Sequence, residues 1–209
     1  MTMWETKRQQ AQQNKDFGLR CAVTGSIRAA SEDENDRRFI VSFSSEEPYE
    51  RWFGLEILDH SEDAVDLNRL NTIGVLLFNH DTDRVCGKIL RAWIENARCY
   101  AEVEFDDDDD ADLICKKVRS GTLKATSVWY KVSTWEDVAA GKKSTDGKYT
   151  GPCSIARNWM PYEVSIVSVP ADATVGVGRS HGAKIDVNTN EAKSGRSIRE
   201  LQLLLNKSL

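Results

Sequence analysis

The 209-residue sequence has few of the side chains that hold metals or build disulfide frameworks. It contains three histidines and five cysteines, and no two cysteines form a CxxC pair. No zinc-ligand spacing is present, and an odd number of cysteines leaves one unpaired in any disulfide scheme. We therefore expect reduced, mostly buried thiols and no metal site.

Long apolar runs and an excess of positive charge are also missing. No run approaches the roughly 20 apolar residues that span a bilayer, and residues 1–16 are polar and Gln-rich, unlike a signal peptide. The net charge of −5 argues against binding a nucleic-acid backbone. These absences predict a cytoplasmic globular protein with neither a membrane nor a nucleic-acid partner.

Several common catalytic and nucleotide-binding motifs are absent. The sequence lacks GxGxxG, Walker A, HExxH and GxSxG. This argues against the usual dinucleotide-binding, phosphate-loop, zinc-protease and α/β-hydrolase classes.

What the sequence does contain is a succession of strand-like segments. They are rich in β-branched and aromatic residues and do not alternate with helices. The predicted strands are 17–27, 39–43, 52–58, 73–78, 85–94, 98–105, 123–134 and 159–169. Helices are predicted at 62–70, 108–120 and 197–209. This pattern favours an α+β fold, built mainly on an antiparallel β-sheet or small barrel with two or three short helices.

The same pattern divides the chain into three parts. Residues 1–16 are expected to form a mobile arm, 17–172 the folded domain, and 173–209 a linker with an amphipathic C-terminal helix. Within the domain, residues 136–154 contain three glycines and a proline, which predicts a long exposed loop.

Five consecutive aspartates, Asp106–Asp110, suggest calcium at first sight. The alternating ligands and the glycine of an EF-hand loop are missing. The acids instead precede an apolar helical stripe that ends in basic residues and Gly121. This order is typical of a helix whose charges complement its dipole.

Few residues are candidates for chemistry. His80 follows an apolar strand, Ser127 lies among apolar residues of another, and Glu163 is a carboxylate in a third. A buried carboxylate needs a partner such as His or Arg. His60 has a similar Asp-His setting, so local sequence does not separate it from His80. His181 lies in a Gly-rich stretch and is a poor candidate for a base.

The order of these residues and their surroundings resembles one known family across about Phe39 to Pro170. The relevant segments are FGLEILDHSEDAVDLNRL, LLFNHDTDRVCGKI, residues 112–130 with SVWY, and WMPYEVSIVSVPAD. They are similar to segments of the HK97-type prohead (head maturation) proteases of tailed phages and prophages.

The resemblance implies a serine endopeptidase related in fold to herpesvirus assemblin, without a cofactor. His80 matches the family's catalytic histidine and Ser127 its nucleophile. Glu163 matches an acidic position often proposed as the third member, and Asp81 is the competing residue. The implied partners are the major capsid protein and its scaffold segment, cleaved inside the procapsid in the bacterial host cytoplasm. Self-cleavage is expected, and homo-oligomer formation is left open.

One departure from the family pattern keeps two alternatives open. Many members have glycine two residues after the serine, where this chain has Trp129. That difference suggests, as one alternative, a procapsid component that kept the fold without activity. The other alternative is an unrelated hydrolase with a cysteine nucleophile, for which Cys86 is the best candidate.

Overall fold

A computed structural model describes residues 15–22, 27–33 and 35–169 of the chain. Most of the predicted N-terminal arm and the whole predicted C-terminal helix lie outside these residues. Ten strands occur in the order β1 (Phe17–Ala22), β2 (Ile27–Ala29), β3 (Arg38–Ser45), β4 (Tyr49–Arg51), β5 (Gly54–Leu58), β6 (Val75–Phe78), β7 (Asp81–Glu95), β8 (Arg98–Phe105), β9 (Ala125–Val138) and β10 (Cys153–Val167). Two helices, α1 (Asn68–Ile73) and α2 (Asp109–Arg119), interrupt them.

All ten strands belong to one sheet. Its main path runs β1-β9-β10-β6-β7-β8-β3-β2, and β5, with β4 beside it, pairs with β10. Neighbours pair antiparallel except where β10 meets β5 and β6, which run parallel to it. The predicted α+β class is confirmed, but the sheet is mixed.

The sheet curls strongly, yet its ladders do not close into the predicted small barrel within the described residues. β3 approaches β9, where the Thr126 hydroxyl donates a hydrogen bond to the Ser42 carbonyl at 2.7 Å. β1 and β2 remain at the two ends of the path.

The main core fills the inside of this curl. Strand residues that alternate along the sheet point inward, as the strict in-out alternation of β8 illustrates. The largest fully buried side chains include Trp159, Tyr130, Phe43 and Leu58. The face of β9 that carries Tyr130 is therefore the core face, and the next residue in either direction lies on the opposite face.

Helix α2 forms as the sequence predicts. The Asp108 carboxylate caps it by accepting hydrogen bonds from the backbone N–H groups of Asp110 and Ala111, each at 3.1 Å. Gly121 follows with φ of +72°, the left-handed conformation common after a helix end. The acidic run is thus a helix start. Neither helix in the described ranges is long and apolar enough to cross a membrane.

The first predicted helix is wrong over most of its length, because α1 begins at Asn68 instead of near Ser61. The Trp159 N–H donates to the Ala64 carbonyl at 2.8 Å, and the Asp66 N–H donates to the Trp159 carbonyl at 2.9 Å. These bonds hold Val65 as an extra bridge to β10, and residues 62–64 before it form turns, so no helix begins at Ser61.

The predicted exposed loop at 136–154 is shorter and more ordered than expected. Its ends belong to β9 and β10, which extend to Val138 and from Cys153. Arg157 ties it down by pairing with Asp59 at 2.7 Å, Glu136 at 2.6 Å and Asp146 at 2.8 Å. Hydrogen bonding to these carboxylates raises the pKa of Arg157. A cation with three partners can order residues whose composition alone predicts a loop.

Candidate active site

His80 lies in the tight turn that joins β6 to β7. Phe78 and Asp81 pair across the turn, so Asn79 and His80 are its two central residues. Both have positive φ, 54° and 60°, as a type I′ hairpin requires. A left-handed histidine is uncommon, and such strained positions cluster at functional sites.

The turn brings His80 against Glu163 of β10. The His80 Nδ1 atom lies 2.6 Å from Glu163 Oε1, and the two side chains are 11% and 10% exposed. This contact supplies the partner that a buried carboxylate requires. Asp81, the competing residue, instead accepts a hydrogen bond from the Asp83 backbone N–H at 3.0 Å.

Ser165, two residues after Glu163, forms hydrogen bonds with both Glu163 and His80. Its hydroxyl donates to Glu163 Oε2 at 2.7 Å and accepts from the His80 backbone N–H at 3.0 Å. The Asn79 N–H bonds to the Ile166 carbonyl at 2.9 Å, which fixes the turn over β10.

Ser127 lies on β9 directly across from Ser165 of β10. Cross-strand partners place their side chains on one face, with Cβ atoms about 4.5–5.5 Å apart. Ser127 therefore shares a face with Ser165 and Glu163, opposite the core face that carries Tyr130. Its own hydroxyl donates to the Arg20 carbonyl of β1 at 3.0 Å.

β1 is held beside Ser127 by a buried polar cluster on the core face. The Arg20 side chain is 4% exposed and lies 3.8 Å from Glu56, which also accepts a hydrogen bond from the Tyr130 hydroxyl at 2.5 Å. Burial lowers the pKa of Arg20 and raises that of Tyr130. Gly18 is required here, because a Cβ atom would lie 2.3 Å from the Tyr130 ring.

Trp129 lies two residues after Ser127 on β9 and pairs across the strands with Glu163 of β10. Its half-buried ring packs on Tyr162, with centroids 5.2 Å apart, and on Phe17, at 6.2 Å. The large ring thus forms an aromatic wall along the face that carries Ser127.

His60 occupies a different environment from His80. It is 4% exposed, and its ring nitrogens lie 2.8 Å from the Leu58 carbonyl and 2.9 Å from the Ser44 hydroxyl. Its ring also packs edge-on against Trp159. Burial lowers the pKa of His60 to about 4. His181 lies outside the described residues.

The cysteine alternative gains no support from the surroundings of Cys86. This thiol is 3% exposed, and burial raises its pKa to about 11. A reactive cysteine needs a readily formed thiolate and access to substrate. Within the described ranges, no group of three or more His, Cys, Asp or Glu side chains is arranged to hold a metal ion.

Two polar groups of this site were not singled out from the sequence. Ser165 was identifiable in principle, because it lies two residues from Glu163 in an apolar strand and must share its face. The Arg20 carbonyl was not identifiable, because a backbone atom carries no residue-type signal and its position depends on the pairing of β1 with β9.

Comparison with known proteins finds similarity to two bacteriophage proteins. The "Major capsid protein" of Halomonas phage phiHAP-1 (isolate -/Gulf of Mexico/-/2001) is 35% identical over 144 residues, or 67% of this chain. The match spans only 23% of that relative's length. Among solved structures, the bacteriophage T4 capsid assembly protease, gp21, matches with a TM-score of 0.47 and 12% identity, covering 75% of this chain and 100% of that one.

A family model gives the broader match. The model of the caudovirus prohead serine protease aligns with residues 30–188, which is more than half of the 209-residue chain and includes His80, Ser127 and Glu163. This protein therefore belongs to the caudovirus prohead serine protease family.

Proposed function

We propose that this protein is a serine endopeptidase that processes phage capsid components, with His80, Ser127 and Glu163 as its catalytic residues. The observation that carries the proposal is the 2.6 Å contact between His80 Nδ1 and Glu163 Oε1, on a strand whose Ser165 lies opposite Ser127. Membership of the family supports the reaction class.

The first role belongs to His80 as general base. A carboxylate only accepts hydrogen bonds, so the Glu163 contact favours the proton on Nδ1 and leaves the lone pair on Nε2. Nε2 takes the Ser127 proton as the serine oxygen attacks the peptide carbonyl. The same nitrogen then gives the proton to the departing amine, and water repeats the cycle on the acyl-enzyme.

Glu163 has an orienting and electrostatic role. It holds the imidazole in one tautomer and stabilises the imidazolium that forms during attack. Its low exposure strengthens this interaction, because nearby water would screen the charges.

Ser127 has to change its hydrogen bond before it reacts. Its hydroxyl donates to the Arg20 carbonyl at 3.0 Å, so this proton has to be redirected towards His80 before the serine oxygen can attack.

The proposed substrates are the major capsid protein, its scaffold segment and the protease itself, inside the procapsid in the bacterial host cytoplasm. A capsid connection is supported by the similarity to the major capsid protein of Halomonas phage phiHAP-1. We also propose that the curled sheet is a variant of the assemblin barrel of herpesviruses, with the contact between Thr126 and Ser42 where a barrel would close.

One alternative is a procapsid component without activity. Two features favour it: the Ser127 hydroxyl is engaged by the Arg20 carbonyl, and Trp129 crowds the face beside it. Activity measurements separate the two proposals.

Coexpression with the capsid protein of the same phage tests the function. We expect wild type to shorten the capsid protein, visible by electrophoresis with the new terminus mapped by mass spectrometry, and Ser127→Ala to abolish this. Thr126→Val is the matched control, since it also removes a buried hydroxyl that bonds to a backbone carbonyl, but on the core face. Cleavage that survives Ser127→Ala contradicts the serine mechanism, and no cleavage by wild type with normal procapsids favours the inactive alternative.

A further inference from the structure

Ser165 forms a closed hydrogen-bonded ring with the two residues proposed as base and orienting acid. The ring runs from the His80 N–H to the Ser165 hydroxyl, on to Glu163 Oε2, through the carboxylate to Oε1, and back to His80 Nδ1. Ser165 is completely buried, and Glu163 is 7% exposed. Water therefore does not offer an easy replacement for any bond of this ring.

The chemistry of the donors gives this ring one direction. A backbone N–H can only donate, so the Ser165 oxygen accepts from His80. The Ser165 hydroxyl can then donate its own proton in a hydrogen bond to Glu163 Oε2. With Oε2 occupied as an acceptor, Oε1 faces the imidazole, and the Nδ1–H tautomer of His80 completes the ring.

The ring also fixes the position of the main chain at His80. The residue has φ of 60°, a conformation that costs free energy for a side chain with a Cβ atom, so surrounding contacts must hold it. The Ser165 hydroxyl supplies one such contact, directly on the His80 N–H.

We propose that Ser165 is a positioning residue that locks the Glu163 carboxylate and the His80 turn into one unit and so selects the His80 Nδ1–H tautomer. This inference rests on the proposed function of His80 as base. Ser165 acts through its neighbours and does not attack substrate, because its oxygen is buried and already makes two hydrogen bonds.

Ser165→Ala removes the hydroxyl, and Ser154→Ala is its matched control. Ser154 lies on the same strand, is also buried, and donates to the Asp137 carboxylate at 2.5 Å. It is about 35 Å away along β10, at roughly 3.3 Å per residue. Loss of a serine-to-carboxylate hydrogen bond is thus common to both variants, and only one variant touches the proposed site.

The first measurement is the tautomer of His80, read from the ¹⁵N shifts of its ring nitrogens in histidine-labelled protein. We expect the neutral His80 ring of wild type and Ser154→Ala to hold the Nδ1–H form, and that of Ser165→Ala to show a mixture with the Nε2–H form. This readout does not require cleavage. An unchanged tautomer in folded Ser165→Ala overturns the proposal. If that variant does not fold, Ser165→Cys, which keeps the size and only a weak donor, is measured instead.

The second measurement is the cleavage of a peptide that spans the junction mapped in the capsid protein. We expect Ser165→Ala to lower kcat about 10- to 100-fold with little change in KM, because a misplaced base slows attack more than it weakens binding. A kcat equal to that of Ser154→Ala overturns the positioning role. Cleavage by Ser127→Ala would instead overturn the proposed function, so the two failures are distinguishable.

Discussion

His60 and His80 both follow short stretches of similar sequence, yet the fold gives them opposite environments. Both ring nitrogens of His60 lie within hydrogen-bond distance of a backbone carbonyl and a serine hydroxyl inside the core. His80 lies in a strained turn at the edge of the core, with one ring nitrogen on a carboxylate.

The role of each histidine depends on the groups that its ring faces. Burial with neutral partners keeps His60 uncharged, and its pKa falls to about 4. A carboxylate partner suits an imidazole that must accept a proton during each cycle.

Replacing His80 should have the largest effect on activity. We expect His80→Ala to lower kcat/KM for the capsid-junction peptide by about 10⁴-fold or more, because the variant loses the proposed general base. His60→Gln is the matched control and should leave the folded enzyme within about threefold of wild type. A cleavage defect in folded His60→Gln as severe as that of His80→Ala would mean that the wrong histidine is assigned as base.

Replacing the carboxylate partner should have the next largest effect. Glu163→Gln keeps the shape of the side chain but can present its amide N–H to Nδ1, which favours the wrong tautomer. We expect kcat to fall about 10²- to 10⁴-fold. Asp81→Asn, which disturbs only the neighbouring turn, should retain near wild-type kcat. The reverse ranking of these two variants would assign the third catalytic position to Asp81.

The low pKa of His60 should make the free energy of unfolding depend on pH. Its folded pKa of about 4 lies below the unfolded value near 6.5, so the unfolded state binds more protons between these values. The stabilisation is present above about pH 6.5 and is lost as pH falls towards 4. Urea unfolding should show a loss of about 2 kcal/mol between pH 7 and pH 5.

The variants of the two histidines sharpen this test. His60→Gln should remove most of the pH dependence between pH 7 and pH 5, and His80→Ala should keep it. If His80→Ala removes it instead, the buried neutral histidine is not the source of the effect.

The smallest effect is expected at Cys86. Because the thiol is buried and burial raises its pKa to about 11, Cys86→Ala should leave kcat/KM within about twofold of wild type. Loss of cleavage in this variant, with Ser127→Ala still active, would establish a cysteine mechanism.

The sequence predicts the parts of the fold that depend on local pattern. Helix α2 follows from its aspartates, apolar stripe and glycine, and β8 follows from strict alternation. The segment at Val65 could not be predicted, because its hydrogen bonds go to Trp159, far along the chain. The same limit explains why the parallel pairing of β10 with β5 and β6 was missed.

For the candidate site, the residues could be predicted from the sequence but their contacts could not. Residue order and family resemblance were enough to select His80, Ser127 and Glu163 from the sequence. The contact between His80 and Glu163 depends on the pairing of β6 with β10, and the bond from Ser127 to Arg20 depends on β1. No local sequence pattern predicts either pairing, so these side-chain contacts could not be predicted from the sequence.

Covalent labelling by a fluorophosphonate tests directly whether Ser127 is a nucleophile that His80 activates. An activated serine oxygen attacks the phosphorus and displaces fluoride, and peptide mass spectrometry then locates the adduct. We expect an adduct on Ser127 in wild type and in His60→Gln, with labelling strongly reduced in His80→Ala. Labelling of Ser127 that is unaffected by His80→Ala, or an adduct at another residue in its place, would contradict it.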